Sequence, residues 1–356
     1  MANSVLVVGV TGLAGYNIAQ AMAEAGWSVT GLSRHHRYQI PGVDQVNADV
    51  LDPPSLDRAL TDRTFTHAVF STWSRQPTEA ENCRVNGTML RNTLEALGRS
   101  TSPQHVALIT GLKHYLGPFE AYASAPAETP YRESQPRLPH QNFYYDQEDI
   151  LWSEADRQAF TWSVHRPHTL IGYALGNLMN MGVTLAVYGS ICRATGEPFV
   201  FPGSPEQYGG VTDVTDARLL GRHVLWSSSV PEARNQAFNT VNGEVFRWRQ
   251  MWHRVADALG VPAAEYPGHA QPLEGRMDHA DEAWAELVHE HDLAPYKASE
   301  LASWWHTDAD LGRTVETFAD MGKSRRLGFV EYQDTAASFG TLFERLRRDR
   351  IVPPLT

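Results

Sequence analysis

The sequence predicts an α/β fold: a doubly wound parallel sheet with helices on both faces, followed by a smaller, mostly helical lobe. Three observations predict it. Short apolar runs alternate with helix-length amphipathic segments through the first half of the chain. The first of them, Ser4–Val8, is a short apolar run, and strands alternating with helices of this length imply a parallel sheet covered on both faces. The first run passes through a glycine-rich turn straight into a helical segment, the connection of a βα unit in a parallel sheet.

Each element follows from its residues. Ser4–Val8 is a strand ending at Gly9, and Leu13 to about Ala25 carries a helical pattern closed by Gly26, the residue type that most readily ends a helix. Trp27–Leu32, Gln45–Val50 and Thr66–Ser71 read as the second, third and fourth strands, and Asp52-Pro53-Pro54-Ser55 starts a helix. Glu79–Leu97 is a long amphipathic helix, His105–Thr110 the fifth strand, Tyr144–Ala159 a helix and Thr161–His165 the sixth strand. A loop rich in Pro, Tyr, Ala and Glu fills Leu112 to Asn142; loops of that length are usually functional or disordered. After Gly172 the alternation stops. Ala174–Thr195 is predicted helical, Phe199–Pro202 a short strand, Val214–Ser228 helical, Gln236–Val241 a strand, Phe246–Leu259 an amphipathic helix, and Tyr266–Asp292 polar and helical. The result is a Rossmann-like body over residues 1–172 and a mainly substrate-binding lobe over 173–356, with strands near 199–202 and 236–241 returning to the sheet.

Composition narrows the function. The 356 residues are 42% hydrophobic, ordinary for a globular core, and no apolar run approaches the roughly 18–20 residues of a membrane span. Met1-Ala-Asn-Ser leads into a strand without a signal-peptide pattern, so a cytoplasmic protein is expected. A net charge of −11 argues against nucleic acid as the main partner. Cys83 and Cys192 make no disulfide framework, and the 15 histidines, His35-His36 and His289/His291 included, lack metal-ligand spacing, so no metal is expected. The oligomeric state is left open, a homodimer included. Lysine is rare: Lys113, Lys297 and Lys323 are the only three. Lys113 therefore draws notice, because arginine cannot replace a compact, titratable ammonium.

The first turn, Gly9-Val10-Thr11-Gly12-Leu13-Ala14-Gly15, is a G-x-x-G-x-x-G segment between strand and helix. Glycines let backbone approach a pyrophosphate, and the helix N-terminus offers free N–H groups and partial positive charge. This spacing favours the short-chain reductase superfamily over the G-x-G-x-x-G dehydrogenases. The second strand ends Ser33-Arg34-His35 with no Asp or Glu to bond a ribose 2′-hydroxyl. Arg34, with His35 or Arg37 alongside, suits a 2′-phosphate, hence NADPH/NADP+. Asp49 and Val50 would frame the adenine, and Ser71 and Thr72 would line the path to the nicotinamide.

A reductase of this kind needs an acid at the substrate carbonyl, and a tyrosine suits if a nearby cation lowers its pKa. The usual Tyr-x-x-x-Lys pair is missing: Glu148 follows Tyr144 by four residues, and Asp149 follows Tyr145. Lys113 lies just past the fifth strand in Thr110-Gly111-Leu112-Lys113-His114-Tyr115, at the sheet end where such folds bind ligands. There it stands to replace the i+4 lysine in space.

The segments Thr110–Glu120 (TGLKHYLGPFE), Asn142–Leu151 (NFYYDQEDIL), Trp162–Gly172 (WSVHRPHTLIG) and Asn235–Trp248 (NQAFNTVNGEVFRW) resemble the progesterone 5β-reductase/iridoid synthase-like (PRISE) family of atypical short-chain reductases. The likeness covers almost the whole chain, through Trp304-Trp305 to Leu327-Gly328-Phe329. It implies NADPH-dependent reduction of activated C=C bonds in enones or enals. It makes Tyr144 and Lys113 the catalytic pair, with Thr110 and Gly111 beside the cofactor and Tyr145 structural. It also implies that Pro167, Leu170, Asn177 and Met179 line the nicotinamide half, and that Trp73 and Phe119 face the substrate; core packing is the alternative for these two rings. The lobe would close the pocket with Trp305 and His306. Two departures bear on the substrate: His306 stands where the plant reductases have Phe, and His168 where they have Gly. His306 either faces the pocket or caps a backbone carbonyl. Other readings are 1,2-reduction of aldehydes or ketones, a sugar-nucleotide epimerase, and a cofactor-sensing protein without chemistry.

Overall fold

The computed structural model describes residues 3–36, 38–100, 102–118 and 128–355. Seven parallel strands form one sheet in the order β3-β2-β1-β4-β5-β6-β9. They are β1 (Ser4–Val8), β2 (Ser28–Ser33), β3 (Val43–Asn47), β4 (His67–Phe70), β5 (His105–Ile109), β6 (Thr161–Pro167) and β9 (Gln236–Thr240). Alternation along β1 explains its unbroken apolarity. Leu6 and Val8 pack on one side with α2 (Pro53–Leu60), α3 (Glu79–Ser100) and α5 (Phe143–Gln158). Val5 and Val7 pack on the other with α1 (Leu13–Glu24) and α8 (Ala217–Ser229). From β3 the chain crosses through α2 to β4, on the far side of β1. Strand order reverses there, and the crevice beyond the strand ends is the ligand position of such folds.

The second half builds its own core around α6 (Met181–Thr195), α9 (Trp248–Leu259), α10 (Ala280–His291) and α14 (Thr335–Arg348), with Trp248, Trp252 and Trp284 almost fully buried. The separation from the first half is incomplete. Helix α8 packs on α1, and β9 pairs with β6 in register Ser163↔Gln236 to Pro167↔Thr240. A second, two-stranded parallel sheet joins β7 (Leu170–Ile171) to β8 (Thr215–Asp216). Among the described residues, no helix is long and apolar enough to cross a membrane.

Four expectations are corrected. The third strand ends at Asn47, because Asp49 turns the chain by accepting from Leu51 N at 2.9 Å. Residues 174–180 are a loop, not a helix: Gly176 takes a positive φ of 75°, and Asn180 caps the helix that starts only at Met181. Phe199–Pro202 does not return to the sheet. Phe199 makes an isolated bridge with Ala263 while its ring stacks on Trp252 at 4.3 Å, so the segment plugs the second core. Between Tyr266 and Asp292 the chain is helical only from Ala280, since Pro267, Gly268, Pro272 and Gly275 interrupt the earlier part.

A polar chain threads the apolar interior on the α8 side. His105 bonds Thr161 Oγ1 (2.9 Å) and Ser163 Oγ (3.0 Å), Ser163 bonds His165 Nε2 (3.0 Å), and His165 Nδ1 meets His223 Nδ1 (3.0 Å). His223 ends it on Ser324 Oγ at 2.9 Å. Burial pushes His105 and His223 down to about 3, and His165 well below the ordinary range. Each imidazole is neutral, and its partners offset the cost of burying it.

Candidate active site

A cleft of about 640 Å³ runs along the carboxyl ends of the central strands, between the sheet and the second half of the chain. Its first half is built by the β1–α1 turn. No side chain caps α1, and Leu13 and Ala14 of its first turn line the cleft, leaving a helix N-terminus that suits an anion. Gly15 is not on the cleft wall: a Cβ there would lie 2.2 Å from the Gly9 carbonyl oxygen and 2.8 Å from Ser71 Oγ, so its work is close packing of helix on strand. Gly9, Thr11, Gly12, Ser71 and Thr72 are on the wall, and Ser71 Oγ donates to the Val8 carbonyl at 2.8 Å. At the end of β2, Ser33, Arg34 and His35 line the cleft, Arg34 and His35 exposed; Asp49 and Val50 face them from the turn after β3. Arg37 lies outside the described residues.

The second half of the cleft is built where β5 ends. Thr110 and Gly111 line it, and the one-turn helix α4 (Lys113–Leu116) follows at once. Asn142 holds the next piece in place. Its Nδ2 donates to the Lys113 carbonyl at 2.7 Å, and its Oδ1 accepts from Tyr144 N at 3.0 Å as the N-cap of α5. Lys113 and Tyr144 thus reach one cleft from the starts of two helices. Gly111 permits this approach: a Cβ there would meet Tyr144 Oη and the Pro167 carbonyl oxygen, each at 3.3 Å. Lys113 Nζ donates to Glu79 Oε2 at 3.2 Å and lies 4.7 Å from the centroid of the Phe143 ring. On its other side Phe143 stacks with Trp73 at 5.5 Å, so Trp73 both lines the cleft and is packed.

Electrostatics at Tyr144 run against the expected lowering of its pKa. Burial, then the Glu79 charge, push the phenol above its ordinary value, so it remains a protonated donor at neutral pH. Tyr145 turns away from the cleft. Its hydroxyl donates to the His114 carbonyl at 2.6 Å and accepts from Leu138 N at 3.1 Å, pinning the long loop to α4. Glu148, in the position of the usual lysine, is also off the wall and bonds Arg166 (2.9 Å) and Arg137 (3.0 Å). Burial alone would raise its pKa, but contact with His114 and the Arg166 charge outweigh burial and bring it down to about 2.

The opposite wall comes from the second half. Pro167, Leu170, Asn177 and Met179 line it, with His306, Asp310 and Arg313 further along. Trp305 is not on the wall: it lies beneath the Arg75 guanidinium, 4.1 Å from ring centroid to Cζ. Phe119 lies outside the described residues. His306 sits on α12 (Trp304–Leu311), one turn before Asp310, and its Nδ1 is buried without a hydrogen-bond partner. No described backbone carbonyl accepts from it, so it faces the cleft rather than capping the lobe edge. His168, also on the wall, accepts from Arg313 Nη1 at Nε2 (2.8 Å) and bonds Asp213 through Nδ1. Arg313 also bonds Asp310 and Thr169 Oγ1.

Sequence reasoning missed Glu79 and the His168–Asp213–Arg313–Asp310 cluster. Asp310 was findable, since i+4 from His306 puts it on the same helix face. Glu79 carried no signal beyond opening a helix, because its partners lie 34 and 64 positions away.

A doubly wound sheet with an uncapped, glycine-lined helix N-terminus at its switch point, and a tyrosine and a lysine on the same cleft, defines a dinucleotide-binding Rossmann protein of the reductase type. The chain belongs to the PRISE family, matching the PRISE-like Rossmann-fold domain over residues 51–353. It is 37% identical to the (S)-8-oxocitronellyl enol synthase ISY1 of Nepeta racemosa, over 98% of this chain and 92% of that one. It is 36% identical to the 3-oxo-Δ(4,5)-steroid 5β-reductase of Arabidopsis thaliana, over 98% and 92% of the two chains. Among solved structures, the epimerase Mth375 of Methanothermobacter thermautotrophicus superposes with a TM-score of 0.69 at 15% identity, over 98% of this chain and 93% of that one. The UDP-glucose 4-epimerase of Thermus thermophilus, a complex with NAD, gives 0.66 at 15%, over 97% and 99%. At those identities the likeness is one of fold.

Proposed function

We propose that this protein is an NADPH-dependent reductase that adds hydride in the 1,4 sense to the activated C=C bond of a small enone or enal. The observation that carries the reading is the convergence of Tyr144 and Lys113 on the cleft that the uncapped α1 N-terminus opens. The names of the relatives, an enol synthase and a 3-oxo-Δ(4,5)-steroid 5β-reductase, support the substrate class.

The wall residues fit a dinucleotide. The amides of the β1–α1 turn would hold the pyrophosphate, and Asp49 and Val50 would frame the adenine. Arg34, with His35, would pair a 2′-phosphate, since the end of β2 carries no acid. Pro167, Leu170, Asn177 and Met179 would flank the nicotinamide, which when bound supplies a hydride. The residues after 173 would cover the substrate, with Trp73 and His306 against it.

Tyr144 donates its hydroxyl proton in a hydrogen bond to the substrate carbonyl oxygen. As the β-carbon gains the hydride, negative charge moves to that oxygen and the bond strengthens, which is what a fixed donor contributes to such a step. A phenol held protonated suits this task, since the tyrosine stabilises the enolate without giving up its proton. The α-carbon then takes a proton from water. Lys113, on the same cleft and held by Glu79, would steady the phenol and the nicotinamide ribose.

Turnover with NADPH on 2-cyclohexenone, a linear enal, a saturated aldehyde and a steroid enone tests the reading. Saturated ketone or aldehyde products from the first two are expected. Allylic alcohols instead would establish 1,2-reduction and overturn it.

A further inference from the structure

We infer that Glu79 is a positioning residue for this reaction: its carboxylate fixes Lys113 to the first turn of the Tyr144 helix and offsets the lysine charge on the cleft that the two residues share. The inference rests on the assignment of Tyr144 and Lys113 proposed above.

Glu79 is the first residue of α3 and lies off the cleft wall, so its action is through other groups. Its two oxygens face different elements. Oε2 accepts from Lys113 Nζ at 3.2 Å and from Asn82 Nδ2 at 3.0 Å. Oε1 accepts at 2.9 Å from the amide of Phe143, the first residue of α5 and the one before Tyr144. The Glu79 and Lys113 side chains are only 12% and 7% exposed. A charge so enclosed persists only when paired and hydrogen-bonded, and Glu79 meets both conditions while placing an anion at a helix N-terminus. It thereby does through space what the i+4 spacing of Tyr-x-x-x-Lys does through the chain.

The charge matters as well as the geometry. A lone ammonium beside a tyrosine favours tyrosinate. Paired with Glu79, Lys113 presents no net charge, and Tyr144 stays a neutral donor. Among the described residues, titratable groups around the pair include Asp146 of α5 and Cys83, one turn along α3. Burial, then contact with Asp146, pushes the Cys83 thiol up to about 12, so it stays neutral across an assay range.

The test is E79Q, which keeps an acceptor for the Phe143 amide and removes the charge. Steady-state kinetics with NADPH and 2-cyclohexenone are measured from pH 6 to 10.5. Expected are a kcat loss of 10-fold or more, KM for NADPH within about threefold of the parent, and an alkaline loss of activity that enters this range in E79Q while the parent stays level to its upper end, one lost charge being worth about one to two units. A purely structural role would lower activity at all pH values without moving that limb. E79D keeps the charge on a shorter arm, and should lose kcat with the limb unmoved. Parent-like kcat in E79Q, or an unmoved limb, overturns the inference. If E79Q does not fold, E79D decides by the split between kcat and KM: lower kcat with an unmoved limb, KM for NADPH within about threefold of the parent and a parent-like melting temperature supports the inference, and parent kcat, a raised KM, a lowered melting temperature or a shifted limb refutes it. K113M and Y144F assayed alongside separate the two proposals, since full activity in both would refute the pair itself.

Discussion

The side chain of Asn142 donates to the carbonyl oxygen of Lys113 at 2.7 Å, tying the start of one helix to the start of the next. The same side chain caps α5 through Tyr144 N. Asn142→Ala removes both bonds and leaves the Lys113 carbonyl without this partner. Losing an N-cap costs about 0.5–2 kcal/mol, and losing the bond to the Lys113 carbonyl, which still accepts from Gly117 N at 2.9 Å, costs about 0.5–1.5 kcal/mol more. The variant should melt several degrees lower, with kcat reduced more than KM for NADPH. Parent-like kcat at a lowered melting temperature would show that the tie serves folding alone.

The adjacent tyrosines separate function from structure. Tyr144→Phe and Lys113→Met should each lose roughly 10²–10³ in rate, the worth of one oxyanion donor, and stay folded. Tyr145→Phe instead loses the bonds to the His114 carbonyl and Leu138 N. It should be less stable by about 1–3 kcal/mol with most activity kept. Activity assays beside urea melts of the three variants check this, and a reversed ranking of Tyr144 and Tyr145 would shift the assignment by one residue.

Arg34 is exposed at the end of β2 with no acid beside it on that strand end, and cofactor choice is predicted to turn on it. NADPH should be preferred to NADH in kcat/KM. Arg34→Asp should weaken NADPH by about 1.5–3 kcal/mol, one charge-assisted contact, and narrow or reverse the preference. Equal kcat/KM for the two cofactors in the parent enzyme would remove the claim.

Acid should unfold this protein through its interior histidines. The folded values of His105 and His223, about 3, lie below the ordinary 6.5. The unfolded chain therefore binds protons that the native state refuses. Their contribution is intact above about pH 6.5 and is lost as pH falls toward the folded values. At pH 5 each costs about 2 kcal/mol relative to pH 8. Urea midpoints should fall steeply between those pH values, and a flat profile would mean that these imidazoles take up protons within the fold.

The sheet was legible because its central strands, β1 and β4 among them, are buried along nearly their whole length and alternate with helix-length segments, while the edge strand β3 is half-exposed and carried a weaker signal. Its boundaries failed where side-chain hydrogen bonds overrode periodicity: Asp49 ended β3 early, and Asn180 delayed α6 to Met181. The nucleotide half of the cleft is local in sequence, and the Gly9–Gly15 turn announced it. The other half is assembled from segments far apart. Lys113 and Tyr144 were paired by rarity and resemblance, not by spacing, and the lowering expected for the Tyr144 pKa failed because burial, and after it the unseen charge of Glu79, push it up. The Arg313 cluster stayed hidden for the same reason: Arg313 is 145 positions from His168.

His306 sets the last prediction. It faces the cleft beside Asp310 and Arg313, and its buried Nδ1 has no partner. The His168, Arg313 and Asp310 side chains add hydrogen-bonding groups to the same wall. A flat, weakly polar enone asks little of a pocket beyond apolar contact, so the prediction is that this wall favours small substrates that carry a second polar atom. In His306→Phe the unpartnered nitrogen is gone and the ring is larger and apolar, while Asp310 keeps its bond to Arg313. The ratio of kcat/KM for a bulky apolar enone over a small polar one should rise by about 10-fold or more, as a contact worth ~1–3 kcal/mol implies. Stability should hold or increase, since an unmet buried nitrogen is removed. Competition between a steroid enone and 2-cyclohexenone in parent and variant measures the shift directly. An unchanged ratio in a folded variant would place His306 outside substrate contact and return the specificity of this wall to His168 and Arg313.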